Sequence, residues 1–403
     1  MTEDDRPDTG GARFRDVLAE PQFRALWVAQ LLSVLGDQVA RVALAVLVYT
    51  ETASAGLTAL TYALTFLPDL VAGPLLSGIA DRAPRRATMV VSDLLRAGLL
   101  ALMAVPGMPF WALCVLVVAG QLLAAPFAAA RAAILPQVLH GERYVVASAV
   151  SGTTYQSGQV LGFALGGPLV ALVGVPVALL ADAATFVLSA VVLQLGVVEQ
   201  RATGEPDDRA TGLRAGARIV AGDRRLRTLV ALACVSAFVV TIEGLAAPYA
   251  AALGGGPVAV GLLLAANPLG AAVGIVLLAR LVPPARRARL LGPLAVLSCV
   301  PLVASALDPP LAGVVALWVA SGLACAYQVP ANAAFVAAVP DAHRGQAFGL
   351  AVTALRVTQG LGVLLAGVLA EATGPALAVG VAGAVGVVVA LGCAAAWHRV
   401  RPA

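Results

Sequence analysis

Asp37 and Arg41 stand four residues apart inside an apolar run, and Gln30 and Ser33 precede them at steps of three or four. Residues at that spacing share one face of a helix. An ionisable side chain inside a bilayer costs about 3 kcal/mol or more unless it is paired or hydrated, so each is a candidate for function. Asp37 lies ~21 Å along a helix axis from Phe23, near mid-membrane for a span that begins there. Asp37 and Arg41 can pair along their own helix. Two readings follow: a permanent staple, or a pair that breaks in one conformation and leaves a carboxyl free to take up a proton.

Glu243 has no arginine three or four residues to either side, which suits a second proton carrier. Asp69 and Arg96 fall at matching depths in neighbouring runs and are expected to pair, with Asp69 a third proton-coupling candidate. Asp93, one turn from Arg96, is the alternative partner. Asp182 is a less certain intramembrane charge. Arg356, with Thr353 and Gln359 on its face, could hold an anionic group of a substrate. Gln30, Ser33, Tyr155, Gln159, Asn267, Gln328, Asn332 and Arg356 are the candidates for lining a substrate cavity. Helix breaks are expected at Pro68, Pro248, Pro268 and Pro330, where freed carbonyls can line such a cavity.

Missing residue types narrow the chemistry. There is no lysine, so all 26 basic residues are arginine. A phosphate-binding loop ending in Gly-Lys-Ser/Thr is therefore absent, and with it an ATP motor of that type. Schiff-base cofactors are excluded on the same ground. His140, His343 and His398 show no metal-binding spacing, and the five cysteines sit singly in separate apolar runs. We expect no cofactor, no metal and no enzymatic activity.

The elements that carry these residues are membrane spans. Of 403 residues, 60% are hydrophobic and only 12% charged, about half the charge of a soluble domain. Mean hydropathy is +0.92. Apolar runs of spanning length lie at about 23–48, 57–80, 87–105, 109–130, 144–173 and 175–197. Six more lie at about 226–251, 258–280, 289–307, 309–339, 345–371 and 376–397. With the N-terminus inside, all but three of the arginines fall in inward loops and none in outward ones. That satisfies the positive-inside rule for twelve spans with both termini cytoplasmic. Only Arg41, Arg96 and Arg356 lie in the interior of a span, away from its ends.

The two halves echo each other. Pro126 and Pro136 match Pro330 and Pro340 at a constant offset, as Gly141 and Gly158 match Gly345 and Gly362. Half-length symmetry of this kind marks a transporter built from two repeats. The expected organisation is a cytoplasmic tail (1–22), a six-helix bundle (23–197), a cytoplasmic linker (198–225), a second six-helix bundle (226–398) and a short tail (399–403). Within the linker, Leu213, Ala217 and Val220 face away from Arg214 and Arg218, the pattern of a helix lying on the inner leaflet or of a solvated linker. Gly158, Gly162 and Gly166, and likewise Gly270 and Gly274, are spaced for close helix contact.

The stretch Gly78-Ile79-Ala80-Asp81-Arg82-Ala83-Pro84-Arg85-Arg86 resembles the signature loop of the major facilitator superfamily, with Pro84 in place of a glycine. Leu35-Gly36-Asp37-Gln38, Ser92-Asp93-Leu94-Leu95-Arg96 and Arg131-Ala132-Ala133-Ile134-Leu135-Pro136 resemble that superfamily's multidrug, macrolide and siderophore exporters. The span-4 arginine of some antiporters is absent; Gln121 is the polar residue there. The resemblance implies twelve helices in two pseudo-symmetric bundles. It also implies a cytoplasmic latch of Gly78, Asp81, Arg82, Arg85, Arg86 and Arg131 that holds the bundles together in one state.

The leading expectation is a proton-coupled exporter of small, largely apolar molecules, working by alternating access in the cell (inner) membrane. Its partners would be the substrate, protons and the lipid bilayer, with no nucleic acid, and the protein would act as a monomer. The alternatives are an importer or facilitator of the same fold, and a non-transporting membrane scaffold.

Overall fold

The computed structural model describes residues 14–66, 83–199, 209–340 and 343–400, with all their side chains except those of residues 209–215 and 285. Among them there are helices and short connections but no strand. In hydrocarbon only a helix satisfies its own backbone donors and acceptors, and these sequences are long apolar runs. The first half contains α1 (Phe14–Ala19), α2 (Pro21–Thr52), α3 (Ala55–Ala63), α4 (Arg85–Met103), α5 (Phe110–Val138) and α6 (Gly141–Gly196). A linker helix α7 (Arg209–Gly222) follows, then α8 (Arg224–Cys234), α9 (Ser236–Ala252), α10 (Pro257–Leu281) and α11 (Pro284–Ala304). The chain closes with α12 (Leu311–Cys325), α13 (Gln328–Ala338), α14 (Arg344–Thr373) and α15 (Pro375–Val400).

Among the described residues, nine helical segments are long and apolar enough to cross a membrane. The outer surface agrees: Leu165, Leu172, Leu365 and Val388 are all more than half exposed, which suits lipid and not water. The protein is a multi-pass membrane protein. On α4 the pattern is inverted relative to a soluble helix. Met89, Asp93, Arg96, Leu100 and Met103 are buried on one stripe, while Val91, Leu94, Leu95 and Leu102 face outward.

The connections repeat between halves. Left-handed backbone occurs at Ala53 and Gly254, at Gly107 and Asp308, and at Gly174 and Gly374, each pair 200 or 201 residues apart. Gly174 (φ 79°, ψ 166°) divides the long α6 into two helices, at the boundary expected between runs 144–173 and 175–197. Of the expected proline breaks, one occurs. The chain breaks between α12 and α13 at Ala326–Tyr327, where the ring of Pro330 disturbs the carbonyl four residues back. Helices α9 and α10 run on through Pro248 and Pro268, and Pro68 lies outside the described residues. Helix α7 docks on protein: Gly216 lies against the backbone of Gln346 at the start of α14, and Val220 is buried.

Close packing rests on the glycine rows. Along α6, Gly158 faces Val34, Gly162 faces Leu35 and Gln38, and Gly166 faces Val39 and Val42 of α2. Gly270 and Gly274 of α10 lie against the backbone of Val319 and Leu323 in α12. The halves themselves meet near the Ala53, Gly254 and Gly374 turns. There Gly167 meets Pro257 and Gly261, Gly367 of α14 meets Gly56 and Ala59, and Gly244 of α9 lies against Ala59. Glu371 of α14 accepts hydrogen bonds from Ser54 Oγ and from the Gly56 amide (2.7 Å) at the start of α3. At the opposite end, Gly152, Gly345 and Gly349 face open space.

Candidate functional site

The polar stripe of α2 is real, but its side chains reach for other helices. Asp37 pairs with Arg96 of α4 at 2.8 Å, not with Arg41 one turn along. The Arg96 side chain is 9% exposed and that of Asp37 32%. The guanidinium also stacks over the ring of Phe186 in α6, 4.2 Å from its centroid. The expected Asp69–Arg96 pair cannot be seen, because Asp69 lies outside the described residues. The alternative, Asp93 with Arg96, gives way to a hydrogen bond from Ser189 Oγ to Asp93 Oδ2 at 2.6 Å. Arg96 has a stem long enough to reach Asp37 on another helix, a partner that matching residue depths does not reveal.

Arg41 turns the other way. Its Nη1 donates to the Tyr62 hydroxyl of α3 (3.4 Å), and its guanidinium lies 5.8 Å from that ring's centroid. Tyr62 in turn donates to Glu243 Oε2 of α9. Glu243, read from sequence as a carboxyl without a partner, is thus held by a tyrosine from the other half. Arg41 and Arg356 both lie within electrostatic reach of it, and Arg356 sits over Phe66, 5.6 Å from the centroid. Tyr62 is the residue that sequence reasoning missed. Its only signal was a hydroxyl-bearing aromatic in an apolar run.

Two adjoining cavities open on these groups. The larger, ≈ 60 Å³, is lined by Asp37, Arg41, Arg96, Gln121, Asp182 and Phe186 among others. The smaller, ≈ 20 Å³, is lined by Arg41, Thr58, Thr61, Tyr62, Thr65 and Glu243. Arg41 and Thr65 border both. Such volumes hold a few waters and about one water respectively. Among the described residues, the arrangement places four carboxyls and three guanidiniums in the interior, with Gln121 and several threonines beside them, linked by a hydroxyl across the two halves.

The other candidates separate. Gln30 donates to the Ser151 carbonyl (3.0 Å) and accepts from Arg131, which also donates to Ser151 Oγ at 3.0 Å. Ser33 is buried with no partner for its hydroxyl among the described residues. Tyr155 is exposed and accepts a long bond from Gln159 (3.5 Å). Asn267 lies where α10 meets Gly322 of α12, and Gln328 and Asn332 lie on α13. Of these, Tyr155 comes within electrostatic reach of Arg41, while Gln30 and Ser151 are tied up with Arg131 away from the Glu243 group.

Of the expected latch, Gly78, Asp81 and Arg82 lie outside the described residues. The remaining arginines bind within the first half and the segment that directly follows it. Arg85 donates to the Ala133 carbonyl (3.0 Å), and Arg86 pairs with Glu199 (3.3 Å) and reaches the Val197 carbonyl (3.3 Å). Arg131 ties α5 to α2 and α6, as given above. Among the described residues their contacts brace the first half and none reaches the second. The cause is spatial: the cross-half contacts lie at the opposite end. Among the described residues no group of three or more His, Cys, Asp or Glu side chains is placed to hold a metal.

Comparison with known proteins bears on the fold and the family. The family model described as Major Facilitator Superfamily matches residues 26–307 and 229–403. Among solved structures, a point mutant of the nucleoside transporter NupG superposes with a TM-score of 0.76 at 15% identity, over 93% of this chain and 99% of that one. A bacterial homologue of the human lysosomal transporter Spinster, inward-facing and occupied, gives 0.74 at 16% identity over 94% and 95%. A POT family transporter in complex with 5-aminolevulinic acid gives 0.73 at 13% identity over 94% and 96%. No curated protein matches the sequence significantly.

Proposed function

Because the chain belongs to the Major Facilitator Superfamily, we propose that it is a proton-coupled secondary transporter that exports small, largely apolar molecules by alternating access. The supporting observation is the charged network within an apolar interior: Asp37 on Arg96, and Glu243 on Tyr62 beside Arg41. Buried charge of this kind is costly, and it spans both halves. A rocking motion that separates Tyr62 from Glu243 would change the surroundings of both carboxyls together. Tying their protonation to conformation couples proton flow to substrate flow.

The same reading gives twelve crossings, in bundles at 23–197 and 226–398, joined by the 198–225 linker. Both termini face the cytoplasm of a cell whose (inner) membrane holds the protein as a monomer. The arginine distribution then makes the Ala53, Gly254 and Gly374 end the outer one. Closed there by Glu371 and the glycine contacts, the molecule is inward-facing. Substrate would enter from the cytoplasm between the open ends, where Tyr155 and Gln159 are accessible.

A second reading, import of a small polar solute, draws support from Arg41, Arg96 and Arg356 near the centre, and from neighbours named for a nucleoside and for 5-aminolevulinic acid. Accumulation of a panel of dyes, drugs and labelled solutes in cells with and without the protein separates the two. Export predicts lower accumulation with the protein, and loss of that effect when the pH gradient is dissipated. Raised accumulation would establish import instead. No change across the panel would favour a scaffold.

A further inference from the structure

Asp182 has a setting that the network above does not use. It lies in the second part of α6, is 1% exposed, and lines the same ≈ 60 Å³ cavity as Asp37 and Arg96. Its Oδ1 accepts from Thr185 Oγ1 at 3.1 Å, while Oδ2 is buried with no hydrogen-bond partner among the described residues. The carboxyl rests on the backbone of α2 where Gly36 lacks a side chain; a Cβ there would come within 3.0 Å of Asp182 Cγ. The glycine therefore admits Asp182 beside Asp37, the next residue on α2.

Among the described residues, the charged and titratable groups around this carboxyl are few. From α2 they are Asp37 and Arg41, with Arg41 already engaged at Tyr62; from α4 they are Arg96 and Asp93. Arg96 serves Asp37. One guanidinium cannot neutralise two carboxylates, and an ionised carboxylate this deeply buried with an empty oxygen is costly. A neutral carboxylic acid resolves both problems.

We propose that Asp182 carries a proton while Arg96 is paired with Asp37, and that the two carboxyls exchange the proton and the arginine between them during transport. The exchange conserves charge and protons. In one state Asp37 is the carboxylate on Arg96 and Asp182 is the acid. In the other, the Asp182 proton has passed through cavity water to Asp37, and Arg96 has turned to the Asp182 carboxylate. The cavity has room for the intervening water. Asp182 is thus a further proton-carrying residue, and this inference rests on the proton-coupled reading above.

The test needs no substrate. Infrared difference spectra of the purified full-length protein at neutral pH, in water and heavy water, would compare wild type with Asp182→Asn, and Asp37→Asn with the Asp37→Asn/Asp182→Asn double variant. In the wild-type background, Asp182→Asn is expected to remove a protonated-carboxyl C=O band that shifts in heavy water. In the Asp37→Asn background, where Arg96 is free to turn, the same change should remove a carboxylate band instead. Should Asp182→Asn fail to give monodisperse protein, Asp182→Glu serves, and shifts the same bands. The proposal is overturned if Asp182 contributes a carboxylate band in the wild-type background, or an acid band in both. Wild-type vesicles that carry no pH-driven transport would instead refute the transport reading, whatever the spectra show.

Discussion

Removing Arg96 should be far more damaging than removing Arg41, though both are intramembrane arginines. Arg96→Leu takes the partner from Asp37 and the cation from the face of Phe186, 4.2 Å away. Breaking a buried pair from one side costs about 3–5 kcal/mol. The Asp37 side chain is 32% exposed, so screening lowers the pairwise share to about 2 kcal/mol. The cation–π contact is worth ~1 kcal/mol and belongs to Arg96 alone. A double-mutant cycle of Arg96→Leu with Asp37→Leu isolates the pair from that contact. Unfolding in mixed micelles, followed by helical circular dichroism, should give a coupling of about 2 kcal/mol, roughly thirtyfold in the folding equilibrium. The matching Arg41 and Asp37 cycle should give only ~0.5 kcal/mol, the value of a same-helix neighbour. Additive Arg96 and Asp37 effects, or a larger coupling to Arg41, would refute the assignment of partners.

Three further outcomes follow from the same contacts. Tyr62→Phe removes the hydroxyl that donates to Glu243 and accepts from Arg41; it should cost about 1–3 kcal/mol in micelle unfolding and weaken proton-coupled transport while leaving expression intact. Glu371→Gln removes the negative charge that accepts from Ser54 and the Gly56 amide at the start of α3; spin labels on the 54 and 371 ends of the halves should then report a larger fraction of separated distances. Gly162→Leu would place a Cβ 2.7 Å from Gln38 Cβ and 3.0 Å from the Leu35 carbonyl; forcing α2 and α6 apart should cost ~3 kcal/mol and lower the yield of folded protein.

Much of the architecture was legible because bilayer physics writes it in one dimension. Apolar runs mark helices, and the run boundaries fall at real turns such as Gly174 and Gly374. Glycines at four-residue spacing did mark close contacts, since a missing Cβ is a local property. What one dimension hides is which helix a long side chain reaches. Asp37 and Arg41 satisfy the same-helix rule, yet Arg96 and Tyr62, on other helices, hold them. Glu243 seemed alone only because its partner is a phenol 181 residues away. Arg85, Arg86 and Arg131 stood where a latch between halves was expected, but the partners they hold here lie in the first half and the segment just after it. Sequence carries no conformational state.

Transport by the purified protein in vesicles with an imposed pH gradient tests the central claim most directly. The account predicts uphill movement of a panel solute driven by the gradient, with internal pH changing in step. Both should be abolished in Asp37→Asn and in Glu243→Gln, while downhill exchange of that solute persists. Full gradient-driven transport in both variants would contradict it.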